Sequence, residues 1–302
     1  MEIKKFAAID VGSNSVRLLI SNVLLNGEGP YFKRSSLIRV PVRLGVTAFT
    51  KHAIPEVSIL HLEETMLAFK HLMRANDVIH YKGCATSAMR EAENGNKIIK
   101  RIKSKTGINI EIISGNSEAE LIFNSQNALA EKSESNCLFV DVGGGSTEIT
   151  LFSKGIPIAK KSFTIGTLRI VQNQVEKESW KKMKEWVKKK SGDLKDFMIV
   201  GSGGNINSFS KLAGLKPGKS LSYSKLNEMV EDLKAHTYEE RMKYYDLNPD
   251  RADVIVPAGE IFTRIMRWVD ADEIFIPKIG LGDGIIREAY IEYLNGVKSK
   301  LE

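Results

Sequence analysis

Two α/β domains related by duplication, each a mixed sheet with helices on both faces, are the architecture this sequence predicts. Three observations lead there. The segment Phe6-Ala-Ala-Ile-Asp10-Val-Gly12-Ser13-Asn14-Ser15-Val16-Arg17-Leu18-Leu19-Ile20 lines up with Leu138-Phe-Val-Asp141-Val-Gly143-Gly144-Gly145-Ser146-Thr147-Glu148-Ile149-Thr150-Leu151-Phe152, with the two aspartates 131 residues apart. After each copy, helical periodicity alternates with short apolar runs. The 302 residues also suffice for two cores of about 150 residues each.

The elements follow in order. Each repeat is a buried-type apolar run closed by an aspartate, a Gly/Ser turn and an alternating run, which reads as a β-hairpin with an acid at its tip. In the first half, Pro55 opens a helix whose Leu62, Met66, Phe69 and Met73 share one face. A strand over Val78 to Met89 follows, then a basic helix from Glu91 to Lys105 stopped by Gly107, a strand from Asn109 to Ser114, and a helix from Ser117 to Ala130. In the second half the hairpin strands run from Cys137 to about Ser162. Helices over Thr167 to Val175 and Glu178 to Ser191, a strand from Phe197 to Val200 and a glycine turn over Gly201 to Gly204 come next. Mostly helical sequence fills Asn205 to Val269, and a strand from Glu273 to Pro277 leads through Gly280 to Gly284 into a final helix. The repeat places the domain boundary near residue 130, giving domains 1–130 and 131–302.

Composition excludes several classes. With 42% hydrophobic and 27% charged residues the chain is neither disordered nor collagen-like, and no stretch of about 18 uncharged apolar residues offers a membrane span. Cys84 and Cys137 stand far apart in apolar runs, so no disulfide framework or zinc site is expected. No apolar signal segment precedes the first strand, and a cytoplasmic address is the expectation. The net charge of +7 fits either a solvated basic surface or a polyanionic partner. The same two readings stand for residues 177–190, where Trp180, Met183 and Val187 take one helical face and most lysines the other.

The candidate chemistry lies at the hairpin tips. Gly143, Gly144 and Gly145 permit successive amides to converge on a phosphate, Ser146 and Thr147 add hydroxyls, and Asp141 and Glu148 can face a divalent metal. One such hairpin is ordinarily a turn with solvated acids; two matching ones can close on a single ligand. Glu118 and Glu120 near a helix start are either dipole partners or a source of a base. Arg90 is either a surface ion-pair residue or an anion contact at a strand-to-helix junction. Gly214 to Ser220 is one residue short of a P-loop and reads as a surface turn; neither Gly201-Ser-Gly203-Gly204 nor Gly280-Leu-Gly282-Asp-Gly284 completes a dinucleotide fingerprint.

The blocks IDVGSNSVRLLI, CATSAMREAENG, ISGNSEAELIF, FVDVGGGSTEI, VGSGGNINSF and GLGDGII, in this order, resemble the exopolyphosphatase/guanosine pentaphosphate phosphatase family. That resemblance implies duplicated ribonuclease H-like domains of the actin, chaperone ATPase and sugar kinase type, with an interdomain cleft. It aligns Glu118 with the catalytic general base, Asp10, Asp141 and Glu148 with the metal and water site, and Gly143 to Thr147 with the terminal-phosphate loop. Ser13, Asn14 and Arg17 match the opposing loop, and Arg90 an arginine on phosphate. The sequence has no His-Asp dipeptide of the helical domain that longer members carry, so it resembles the short two-domain form, whose final helix, here about 284–300, commonly packs back on the first domain. Gly282 and Asp283 stand where the family's closing motif carries an Arg-Glu pair.

The expected activity is Mg²⁺-dependent release of terminal orthophosphate from inorganic polyphosphate, other divalent cations being possible substitutes, and conversion of guanosine pentaphosphate to the tetraphosphate in the stringent response. Neither nucleic acid nor membrane is an expected partner; a homodimer is. An ATP-dependent small-molecule kinase of the same superfamily and a non-catalytic polyphosphate or alarmone sensor are the competing readings.

Overall fold

The computed structural model describes residues 2–25, 29–130, 136–154, 156–192, 194, 197–216, 218–277 and 279–298. The chain divides into two compact units, residues 1–125 with 281–302, and residues 126–280.

In the first unit, β1 (Glu2–Val11), β2 (Val16–Leu25) and β3 (Pro30–Val40) form an antiparallel meander. Helices α1 (Gly45–Lys51) and α2 (Glu56–Ala75) lead to β4 (His80–Ala85), and α3 (Ser87–Glu91) and α4 (Gly95–Thr106) lead to β5 (Glu111–Ile112). The sheet order is β3-β2-β1-β4-β5, with β1, β4 and β5 mutually parallel. Helix α5 (Gly115–Ala130) then carries the chain into the second unit.

That unit repeats the plan. The meander β6 (Asn136–Val142), β7 (Thr147–Ser153) and β8 (Ile156–Phe163) is followed by α6 (Thr167–Val171), α7 (Lys177–Ser191), β9 (Phe197–Ser202) and α8 (Gly203–Leu212). After β10 (Lys219–Ser222), α9 (Tyr223–Ala235), α10 (Tyr238–Tyr244), α11 (Pro249–Ala252) and α12 (Ile255–Trp268) comes β11 (Glu273–Ile276). Read from β8, the order is β8-β7-β6-β9-β11-β10, the first sheet's order with one antiparallel edge strand added. The duplication is therefore one of topology as well as of sequence.

Several boundaries differ from the sequence reading. The strand expected to reach Met89 ends at Ala85, and Ser87 to Glu91 is a helical turn; a short apolar run such as Ala88-Met89 carries no periodicity that separates the two states. The basic helix accordingly starts at Gly95, although Gly107 caps it in the left-handed region (φ 77°) as expected. Ser202 still belongs to a strand and α8 starts directly at Gly203, so Gly201 to Gly204 is no free-standing turn. Strand β10 interrupts the stretch expected to be helical, while β3 and α1 carried no recognised signal. Strand β3 presents Lys33, Arg34 and Ser35 to solvent at the sheet edge, and no apolar period results.

The second unit's core gathers the buried faces of α7, α9 and α12 against β6, β7 and β9, with Met183 and Val187 of α7 buried and the helix's lysines outside. Both cysteines are buried thiols outside any disulfide, and burial pushes the Cys84 thiol up to about 12. Helix α13 (Leu281–Lys298) belongs to the first unit. Its Leu281, Ile285, Ile286, Ala289 and Tyr290 pack on Phe6, Ala8, Leu19, Val23 and Cys84, with Leu121 and Ile122 of α5 beside them. Polar contacts border this seam: Lys82 reaches Glu288 (3.1 Å) and Glu292 (2.6 Å), and Arg34 makes a bidentate pair with Asp283. Asp283 is thus engaged by a basic side chain of β3. Among the described residues no helix is long and apolar enough to cross a membrane.

Candidate functional site

Parallel pairing of β1, β4 and β5 sets Asp10 beside Cys84 and Ala85 beside Ile112, so the loops leaving these strands share one edge of the sheet. Ligand sites of open α/β sheets form outside such carboxyl ends. After β1 the chain turns tightly, Gly12 N–H donating to the Ser15 carbonyl (3.1 Å). The Ser13 and Asn14 carbonyls accept from the amides of Gly45 (2.8 Å) and Arg43 (3.1 Å). In a trans peptide the C=O and the following N–H point in opposite directions, so the Asn14 and Ser15 amides face away from α1. The Ser13 and Ser87 hydroxyls are 2.9 Å apart, and the buried Ser15 hydroxyl has no hydrogen-bond partner among the described residues.

Asp10 is 4% exposed, and its carboxylate accepts from Arg17 Nη1 (2.8 Å), its cross-strand neighbour. Burial raises the Asp10 pKa above the ordinary carboxylate value, while the Arg17 charge pulls it back down. Arg17→Met should therefore cost roughly 3 kcal/mol at neutral pH, because it leaves a buried carboxylate without its cation. A raised acid favours the folded state when protonated, so the loss should be greatest above the folded pKa and shrink as pH falls through it. Urea melts of both proteins between pH 4 and 8 measure this; a pH-independent difference would contradict it.

Glu118 enters from the loop after β5. The Ser114 hydroxyl accepts from the Ser117 amide (3.1 Å), and Glu118 N–H donates to the Ser114 carbonyl (2.9 Å), fixing the first turn of α5. Glu118 is 8% exposed, and its Oε2 lies 3.8 Å from Arg90 Nη1, which donates to the Ile113 carbonyl (2.8 Å). Position 118 thus faces a guanidinium at the strand ends.

The second unit builds the corresponding corner. Gly143 N–H donates to the Ser146 carbonyl (2.8 Å), the counterpart of the Gly12–Ser15 bond. The Gly143 and Gly144 carbonyls accept from the amides of Thr167 (3.0 Å) and Leu168 (2.9 Å), which turns the Gly144 and Gly145 amides to the opposite side. Asp141 stands directly across from Glu148, where the first unit has Asp10 across from Arg17. Asp141 Oδ2 accepts from Ser202 Oγ (2.6 Å), and Glu148 Oε1 from Ser162 Oγ (2.8 Å). Gly203, at φ 85°, leaves room for the Asp141 carboxylate; a Cβ there would lie 2.7 Å from Oδ1. The Thr147 hydroxyl is fully buried and donates to the Ile165 carbonyl (2.6 Å).

The structure thus gathers Asp10, Ser13, Asn14, Arg17, Arg90 and Glu118 in one unit, and Asp141, Gly143 to Thr147 and Glu148 in the other. Sequence reasoning missed the residues that hold these in place. Ser87, Ser162 and Ser202 are examples, as is Asn205, whose amide donates to the Val142 carbonyl (2.6 Å) while its oxygen accepts from Arg251 (2.9 Å). None of them adjoins its client in sequence; strand register, Asp141 beside Ser202 and Glu148 across from Ser162, would have exposed two of them.

Two sheets of one strand order, each closing its central strand in an acid and a tight glycine turn, define the duplicated ribonuclease H-like fold of actin, the chaperone ATPases and the sugar kinases. The chain belongs to the Ppx/GppA phosphatase family, whose profile matches residues 36–291. It is similar to the Aquifex aeolicus Ppx/GppA family member of known crystal structure, with 26% identity, a TM-score of 0.75, and coverage of 96% of this chain and 99% of that one. An exopolyphosphatase structure from Cytophaga hutchinsonii shares the fold at a TM-score of 0.80 and 24% identity, covering 93% of this chain and 96% of that one. Among curated relatives, a putative exopolyphosphatase of Haemophilus influenzae is 22% identical over 96% of this chain and 91% of its own length. The bifunctional 3-dehydroquinate synthase/phosphatase of Fusobacterium nucleatum is 27% identical over 89% of this chain, which spans 44% of that protein.

Proposed function

We propose that the protein is a metal-dependent exopolyphosphatase, hydrolysing the terminal phosphoanhydride bond of inorganic polyphosphate, with guanosine pentaphosphate as a second substrate of the same bond type. The observation that carries this reading is the pair of glycine turns whose carbonyls are tied back, which turns their amides to the opposite side, in a chain of this family. Phosphoryl transfer asks a protein mainly to position and neutralise, and this inventory consists of amide donors, an arginine and carboxylates.

Asp141 and Glu148 fit a hard divalent cation. Like charges directly opposite on a sheet are unfavourable by themselves, the donors are all oxygen, and each carboxylate has one oxygen fixed by a serine. These two residues would hold Mg²⁺, which when bound neutralises charge on phosphoryl oxygens. The protein's own groups do the rest. In the second unit the turn amides receive phosphate oxygens, and in the first Arg90 supplies a cation beside Glu118. Glu118 Oε2 accepts the proton of the attacking water, with the Arg90 guanidinium orienting it.

The test is orthophosphate release from tripolyphosphate, long-chain polyphosphate and guanosine pentaphosphate. Release from polyphosphate that needs Mg²⁺ and stops with a chelator is the expected result; release from none of the three would overturn the proposal.

A further inference from the structure

The carbonyl ends of Gly143, Gly144 and Gly145 are all gripped from one side by a single short segment. Two of the grips are the amides of Thr167 and Leu168; the third is a side chain, Arg169 Nε, donating to the Gly145 carbonyl at 2.7 Å. The corresponding grips in the first unit, Gly45 and Arg43 on Ser13 and Asn14, are backbone amides. Arg169 is 8% exposed, and taking a guanidinium out of water is costly unless its donors are used. The approach of the segment is equally specific. A Cβ on Gly166 would stand 2.4 Å from both the Gly144 oxygen and the Gly145 carbonyl carbon, so only glycine lets the start of α6 come this close.

Gly145 has no Cβ, so sterics restrain its own φ and ψ only weakly, and the peptide joining it to Ser146 is best defined where something holds it. Turned over, it would present a carbonyl where an anion needs a donor. Held by Arg169, it presents the Ser146 amide on the same side as the Gly144 and Gly145 amides.

We infer that Arg169 is a positioning residue for phosphate recognition: by gripping the Gly145 carbonyl it locks the third amide of the turn toward the terminal phosphate, and Gly166 is the residue that allows the grip. The inference rests on the reading of the turn as the phosphate site. It assigns no contact between Arg169 and substrate.

Wild type, Arg169→Lys, Arg169→Met and Gly166→Ala are compared, with tripolyphosphate as the probe, in three measurements: orthophosphate-release kinetics, thermal midpoint with and without the probe, and the 15N–1H position of the Ser146 amide. Loss of one charge-assisted donor to the anion should raise KM for tripolyphosphate roughly 10- to 100-fold in Arg169→Met and Gly166→Ala, with a smaller change in kcat. The probe should raise the wild-type midpoint but not theirs, and the Ser146 amide should move on probe addition only in the wild type. Arg169→Lys, which keeps one donor, should fall between, and it decides the matter should the other variants fail to fold. Folded variants with wild-type KM and a wild-type Ser146 response overturn the positioning role while leaving the phosphate site intact. A wild type that neither responds to tripolyphosphate nor hydrolyses it overturns the site itself, and the inference with it.

Discussion

Glu118→Gln is expected to lower kcat for orthophosphate release from polyphosphate by roughly 10²- to 10⁴-fold, the usual contribution of a positioned general base, while KM changes little. Glutamine keeps the volume and a hydrogen-bonding oxygen near Arg90 but cannot take a proton from water. The surroundings of residue 118 favour this split. Its backbone is fixed by the Ser114 carbonyl and its side chain approaches Arg90 at 3.8 Å, so the amide should occupy the same place. Steady-state kinetics on tripolyphosphate and long chains, with circular dichroism as a folding control, measure it. Unchanged kcat would remove Glu118 from the proton transfer.

Among packing changes, the largest stability effect is expected from Gly284→Ala. A methyl group there would sit 1.9 Å from the Leu121 carbonyl oxygen, so α13 and α5 must move apart or the backbone must bend. Overpacking at such a contact costs about 1–3 kcal/mol, and an obstacle made of backbone places this one at the upper end. The thermal midpoint should fall by roughly 5 °C or more. Gly296→Ala in the same helix is the control, because nothing lies within 4 Å of its added Cβ. Relief of glycine's helix penalty should there stabilise the protein by about 0.5–1 kcal/mol. Equal midpoints for the two variants would refute the packing argument.

What the sequence disclosed, it disclosed through local chemistry. Asp10-Val-Gly12 and Asp141-Val-Gly143 put an acid and a conformationally free residue at adjacent positions, and such a signal survives without tertiary context. The helical faces of α2 and α7 were readable for the same reason, since Leu62, Met66 and Phe69, or Met183 and Val187, recur at helical spacing. Features made by distant pairings stayed hidden. Ser202 serves Asp141 from 61 residues away and Arg169 serves Gly145 from 24, and no periodicity marks either. Edge strand β3 escaped because solvent, not a core, sets its outward residues. The contrast between Arg17 and Glu148 is plain in the sequence, but its meaning, an ion pair in one hairpin and a diacid in the other, needs the cross-strand register.

Because α13 belongs to the first unit, that unit is the last to be completed during biosynthesis. The apolar face formed by Phe6, Ala8, Leu19 and Val23 is made early, yet the residues that cover it, Leu281 to Tyr290, leave the ribosome only after the whole second unit has been translated. At ordinary elongation rates that interval is roughly 10–50 s, during which the nascent first unit carries an open greasy seam while the second unit has all the strands of its own sheet. The later-born half is the one equipped to mature first, and the earlier-born half needs guarding until its lid arrives.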